Sequence, residues 1–198
     1  MTTDGIEYRF GELPLILTAP HGGKTVIDTR LTERVRPTDA NIKFSTTSDL
    51  YTFELMQEID SYICNSMKLK PYYVGLKVHR KYVDANRAPS QSAYNQCCKQ
   101  SKSLYDMYHG LIEQCTSSLI EKYPLQRVLL IDIHGAKFTV ADYKPRTIAI
   151  GTCNGSSFPH VDKNLPHKGF LWRLREMKGG VHVVDELLGY TGGYTVQV

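Results

Sequence analysis

Residues 14–23, "PLILTAPHGG", and residues 127–135, "RVLLIDIHG", decide how this chain reads as a fold. Each contains a short, continuous apolar run, too short for a helix and without polar alternation, which predicts a strand buried on both faces. Each run is followed by a histidine and then glycine: His21 before Gly22 and Gly23, and His134 before Gly135. Glycine at such a point lets the backbone turn sharply and lets a ligand approach without a side chain in the way. In open α/β sheets, ligands bind outside the carboxyl ends of the strands. Two histidines delivered to that edge by separate strands can therefore share one ligand.

The remaining segments fit the same plan. Residues 6–10, 71–78, 147–152 and 181–184 read as further strands. Residues 48–67, "SDLYTFELMQEIDSYICNSM", place Leu50, Phe53, Met56, Ile59 and Ile63 at helical spacing, with Ser48 or Asp49 available as N-cap. Residues 101–123 predict a second helix with Leu104, Met107, Leu111, Cys115 and Leu119 on one face, ended by Pro124. Residues 165–177 read as a third helix. Residues 24–47 have no clear period and are expected to form a long loop, a kind of segment that is often functional. Strands alternating with helices predict a single α/β domain over residues 1–198, with helices on both faces of the sheet.

The bulk numbers exclude several classes. The 198 residues carry 24 Lys and Arg against 20 Asp and Glu, a net charge of +4, without the basic stripe of a nucleic-acid surface. No apolar stretch has the length of a membrane span, and "MTTDGIEYRF" does not read as a signal peptide. The five cysteines are irregularly spaced with no CxxC pair, and adjacent Cys97 and Cys98 read as reduced thiols. A cytoplasmic protein without nucleic-acid or membrane partners is expected.

Two imidazoles at one edge suggest zinc, which takes three protein ligands in catalytic sites and leaves a fourth position open. Position 24 is Lys24, so no His-x-x-Glu pair is formed, and Asp49, Glu54 and Asp132 are the candidates for the third ligand. Asp132, two residues before His134, can equally orient that histidine. The alternative for each histidine is a hydrogen-bonded structural role. Residues 79–87, "HRKYVDANR", crowd Arg80, Asp84, Asn86 and Arg87 directly after a strand. Guanidinium groups grip carboxylates through two parallel hydrogen bonds, so the segment suits a carboxylate-bearing ligand. Its alternative is a solvated turn with a surface ion pair. Residues 189–196, "GYTGGYTV", fit a tight turn, or a flexible tyrosine over a pocket.

Taken in order, "PHGG", "SDLYTFEL", "HRKYVDANR", "LLIDIHG" and "GGYTV" resemble the N-formylglutamate amidohydrolase family across nearly the whole chain. That family is related to zinc carboxypeptidases and aspartoacylase. The resemblance implies a mixed, mainly parallel sheet between helices, and zinc bound by His21, Asp49 and His134, with Glu54 as the fallback for Asp49. It implies that Arg80 polarises the scissile carbonyl, that Asn86 and Arg87 hold a substrate carboxylate, and that Tyr194 lies near the pocket. The expected activity is hydrolysis of an N-acyl, formyl-like amino acid, or of a terminal peptide-like amide with a free carboxylate. In the family a glutamate after the "GGY" segment is the general base. None stands here between that segment and Val198, so the resemblance implies either a shortened domain with another base or a catalytically impaired carboxylate-binding module.

Overall fold

The short apolar runs build one five-stranded sheet; the run at 15–19 is buried as expected, but the run at 129–132 is only partly so, with Leu130 exposed. The sheet's strands are β1 (Thr2–Thr3), β2 (Ile6–Arg9), β3 (Leu15–Ala19), β4 (Tyr72–Leu76) and β5 (Leu129–Asp132), in the order β1-β2-β4-β3-β5. The computed structural model describes residues 2–3, 5–25, 30–124, 128–135, 147–151, 182–184 and 193–197. They belong to two units, Met1–Gly135 and Ala136–Val198.

In the first unit β4 and β5 flank β3 in parallel, whereas β2 pairs with β4 and β1 with β2 antiparallel. The sheet is mixed, as expected, but it is not mainly parallel among the described residues. The antiparallel half arises because the chain enters through a β1–β2 hairpin, which needs no crossover. The parallel half carries the long connections, and these contain the helices α1 (Thr52–Met67) and α2 (Lys99–Lys122).

Side-chain alternation along β3 divides the core between the two helices. Ile16 joins Val74 and Leu76 of β4 under Leu104, Tyr108, Leu111 and Cys115 of α2. Leu17 and Ala19, pointing the other way, pack with Met56 of α1, with Phe53 and Ile59 alongside. Successive strand residues face opposite sides of a sheet, so a continuous apolar run serves both layers at once. Helices on both faces are thus present, as the alternation of elements predicts.

The helices depart from their expected bounds. The first begins at Thr52 and not at Ser48, and its N-cap, Tyr51, adopts a left-handed conformation (φ 64°) with no side-chain cap. Such a conformation costs a non-glycine residue on the order of 1 kcal/mol. Neither expected cap is free for that task, since Ser48 and Asp49 are used elsewhere, and Leu50 is left exposed. The second begins at Lys99, preceded by buried Cys98, and Tyr108 rather than half-exposed Met107 enters the core. Residues 30–47 contain no helix or strand, as expected of a loop. Residues 88–98 hold a short 3-10 turn, Pro89–Gln91, before α2. Cys64, Cys97, Cys98 and Cys115 are free thiols. No helix among the described residues is long and apolar enough to cross a membrane.

The second unit contains β6 (Thr147–Gly151), β7 (His182–Val184) and β8 (Gly193–Gln197) in an antiparallel sheet with β8 central. The "GGYTV" segment is therefore strand rather than a tight turn, with Tyr194 paired to Ile150. Its β-branched and aromatic residues favour that outcome. The role expected for the Tyr194 side chain and the helix expected at 165–177 lie outside the described residues.

Candidate metal centre

β3 and β5 are neighbours in parallel register, with Thr18 opposite Asp132. The segments that leave their carboxyl ends therefore emerge at the same end of the sheet. His21 and His134 meet there, with ring centroids 5.0 Å apart. The third group is Asp49, from the segment just before α1. Its backbone N–H donates to the His21 carbonyl (3.0 Å), and the neighbouring Ser48 hydroxyl donates to the Gly23 carbonyl (3.0 Å). Asp49 Oδ2 then lies 3.4 Å from His21 Nδ1 and 3.2 Å from His134 Nδ1. One ligand atom from each of the three residues falls within 4.8 Å of the others, the grouping expected of a metal site.

The glycines act differently from expectation. Neither Gly22 nor Gly135 has a positive φ. A Cβ on Gly22 would lie 2.3 Å from the Phe53 backbone nitrogen, and one on Gly135 would lie 3.1 Å from the Asp49 Cβ. They let the start of α1 and the Asp49 segment close onto the strand ends. The room they make is filled by protein, and the Gly135 N–H donates to Asp49 Oδ2 at 3.0 Å.

Each histidine is held from behind by a carboxylate. His21 is buried, and its Nε2 is 2.7 Å from Asp84 Oδ1. His134 is more open, and its Nε2 is 2.8 Å from Asp132 Oδ2. A carboxylate on one ring nitrogen keeps the proton there and leaves the other nitrogen's lone pair free, the arrangement that usually backs metal-bound histidine. The free nitrogens are then the two Nδ1 atoms that face Asp49. His21 Nδ1 is buried without a hydrogen-bond partner, its contact with Asp49 being close but poorly aligned. Buried polar atoms are rarely left unpaired. An orphaned imidazole nitrogen beside a second nitrogen and a carboxylate is a donor set that could hold a metal ion.

The electrostatics favour a cation in that position. Burial alone would raise the Asp49 carboxyl, but His134, His21 and the Gly135 N–H beside it hold it well below the usual carboxylate range. Burial would lower His134, but Asp132 and Asp49 outweigh this and push it up to about 9. Two carboxylates thus draw a positive charge to the imidazole, and a metal ion can replace that proton.

The "HRKYVDANR" segment is no solvated turn. Asp84 is fully buried and anchors it. Arg80 Nε donates to Asp84 Oδ2 (2.9 Å), and Arg80 Nη1 lies 3.4 Å from Asp49 Oδ1. Asn86 is exposed at the rim; its amide donates to Asp132 (3.2 Å) and lies 2.7 Å from His134 Nε2. Among the described residues no carboxylate pairs with the Arg87 guanidinium, whose Nε is buried without a partner. Glu54 is elsewhere, paired with Lys24 on the surface of α1, so the fallback ligand is not used. Asp132 orients and does not join the three-residue group.

Two contributors carry no local signal in the sequence. Asp84 is one charge among several there, and only its complete burial distinguishes it. Arg34, in the loop 30–47, also has a fully buried side chain, 3.4 Å from Asp84 Oδ2. Burial pushes its guanidinium down to about 10 against the pull of Asp84. No family model, no curated protein and no solved structure matches the chain.

Proposed function

We propose that His21, Asp49 and His134 hold a zinc ion in a zinc-carboxypeptidase-like domain, and that the protein hydrolyses the amide bond of an N-acyl, formyl-like amino acid or a terminal peptide-like amide with a free carboxylate. The observation that carries this reading is the orphaned His21 Nδ1, facing the same Asp49 oxygen as His134 Nδ1. When bound, zinc supplies Lewis acidity toward a carbonyl oxygen and lowers the pKa of water toward about 7.

The chain's own residues supply the rest. Asp84 and Asp132 fix the imidazoles. Arg80, tied down at Nε and Nη1, keeps Nη2 out of those contacts and can direct it at the oxygen on which charge develops. A pre-oriented donor of this kind stabilises the transition state without reorganising. Arg87, lacking an internal carboxylate, is suited to grip that of a substrate, with Asn86 beside His134 setting its direction. Metal analysis of the purified chain, followed by amidase assays on N-formyl- and N-acetylglutamate with added zinc, tests the reading. Stoichiometric zinc with product release is expected; a chain that takes up no zinc would end it.

A second reading has its own observation. The three carboxylates around the centre are all engaged: Asp49 with both histidines, Asp84 with His21 and Arg80, and Asp132 with His134, Asn86 and Thr18. None among the described residues is free to act as general base, a role typically worth about a hundred- to ten-thousand-fold in rate. A zinc-containing module that binds a carboxylate ligand without cleaving it fits this. Calorimetry with N-acetylglutamate separates the two: binding heat with no product favours the module.

A further inference from the structure

The loop 30–47 sends one charged side chain into the interior, and that side chain is fully wrapped. Arg34 Nε donates to the Ser92 carbonyl (2.5 Å), and Nη1 donates to the carbonyls of Ser45 (2.8 Å) and Arg80 (3.2 Å). Nη2 faces Asp84 Oδ2 at 3.4 Å, buried and without a hydrogen bond of its own. The backbone around it is stitched to the same neighbours. Arg34 N–H donates to the Lys81 carbonyl (2.8 Å), the Ser92 hydroxyl to the Val35 carbonyl, and the Asn95 amide to the Glu33 carbonyl. A guanidinium taken out of water is expensive unless paired and hydrogen-bonded, so this burial needs a reason beyond holding a loop.

The partners supply one. Asp84 divides its two oxygens between two tasks: Oδ1 receives His21 Nε2 and the Asn86 N–H, while Oδ2 faces Arg80 Nε and Arg34 Nη2. With Oδ2 turned toward Arg34 and Arg80, Oδ1 is left turned toward the histidine. Its Nη1 also fixes the backbone from which Arg80 projects. We propose, on the metal-centre reading above, that Arg34 is a positioning residue: through Asp84 it orients His21 and tightens metal binding, coupling the loop 30–47 to the centre.

The test measures zinc affinity by competition with a chromophoric chelator, together with the visible absorption of the Co²⁺-loaded chain, for the wild type and for Arg34→Met, Arg34→Gln and Arg34→Lys. Loss of a group supporting a metal-bound histidine typically costs about 10- to 100-fold in affinity. The two charge-removing variants should lose roughly 10-fold or more, with a shifted Co²⁺ band, and Arg34→Lys should recover most of the loss. Combined with Asp84→Asn, Arg34→Met should add little, because both act through one carboxylate. Wild-type affinity in a folded Arg34→Met or Arg34→Gln chain would overturn the assignment, as would full additivity with Asp84→Asn. If neither charge-removing variant folds, Arg34 is a structural anchor and the assignment falls. A wild-type chain that binds no zinc overturns the metal-centre reading itself, and this proposal with it.

Discussion

Asp84→Asn removes one charge and almost no volume at a site with no solvent exposure. The carboxylate takes His21 Nε2 at 2.7 Å and Arg80 Nε at 2.9 Å, with Arg34 at 3.4 Å. A neutral amide leaves the Arg80 and Arg34 guanidinium groups without their buried counter-charge, and stripping one partner from a buried ionic group costs about 3–5 kcal/mol. For a chain of this size each kcal/mol moves the melting temperature by roughly 2–4 °C, so a fall of about 10 °C is expected by calorimetry of the metal-free protein. An asparagine can also turn its NH₂ toward His21, which would reverse the tautomer and move the lone pair off Nδ1. Zinc affinity, measured by chelator competition, should drop by about 10- to 100-fold. Asp132→Asn is the internal control. It makes the same contact with His134, but its side chain is 34% exposed, so solvent screening should hold its stability cost near or below about 1 kcal/mol. Equal losses in the two variants, or zinc affinity within about twofold of wild type in Asp84→Asn, would refute the argument that burial makes Asp84 the dominant support.

Other perturbations discriminate further. His21→Ala and His134→Ala should both abolish stoichiometric zinc, but only His21→Ala, which empties a buried position and strands Asp84, should also lower stability, by about 2–4 kcal/mol in urea titration. Gly22→Ala places a methyl 2.3 Å from the Phe53 backbone nitrogen; a loss of at least about 1–3 kcal/mol together with weaker zinc binding is expected, and a neutral outcome would show that α1 is free to back away from the strand end. The Cys98 thiol is pushed up by burial but brought down to about 7 by hydrogen bonds from Ser101 and Thr32. Its folded value lies below its unfolded one, so this contribution is fully present above the unfolded pKa and is lost as pH falls through about 7. The melting temperature should therefore climb between about pH 7 and 9, and Cys98→Ala should flatten that climb.

Much of the centre is legible in the sequence because two signals repeat. A short apolar run followed by histidine and glycine identifies a strand end, and two such ends in one α/β chain point to one edge. Asp49 is harder, since local chemistry offers it as a helix cap; hydrogen bonds from Asp49 and Ser48 to the His21 and Gly23 carbonyls hold it at the histidines instead, and the helix starts at Thr52. The glycines suggest space for a ligand because a sequence cannot say which neighbour will close in. Met107 and Tyr108 are adjacent and both amphipathic in pattern, so which one enters the core depends on a small rotation of α2. Arg34 lies in a polar loop without period, where nothing local separates a buried arginine from a solvated one.

The hydrogen bond from Thr18 to Asp132 pins two segments more than a hundred positions apart in the chain. A slip of a single residue between those strands would swing one imidazole through the sheet to its far side. On the proposed metal-centre reading, ion uptake would report on the fold, because only molecules whose strands have aligned correctly would bring the two imidazoles together. Refolding followed by ion release and recapture should thus count correctly aligned molecules without any enzymatic assay.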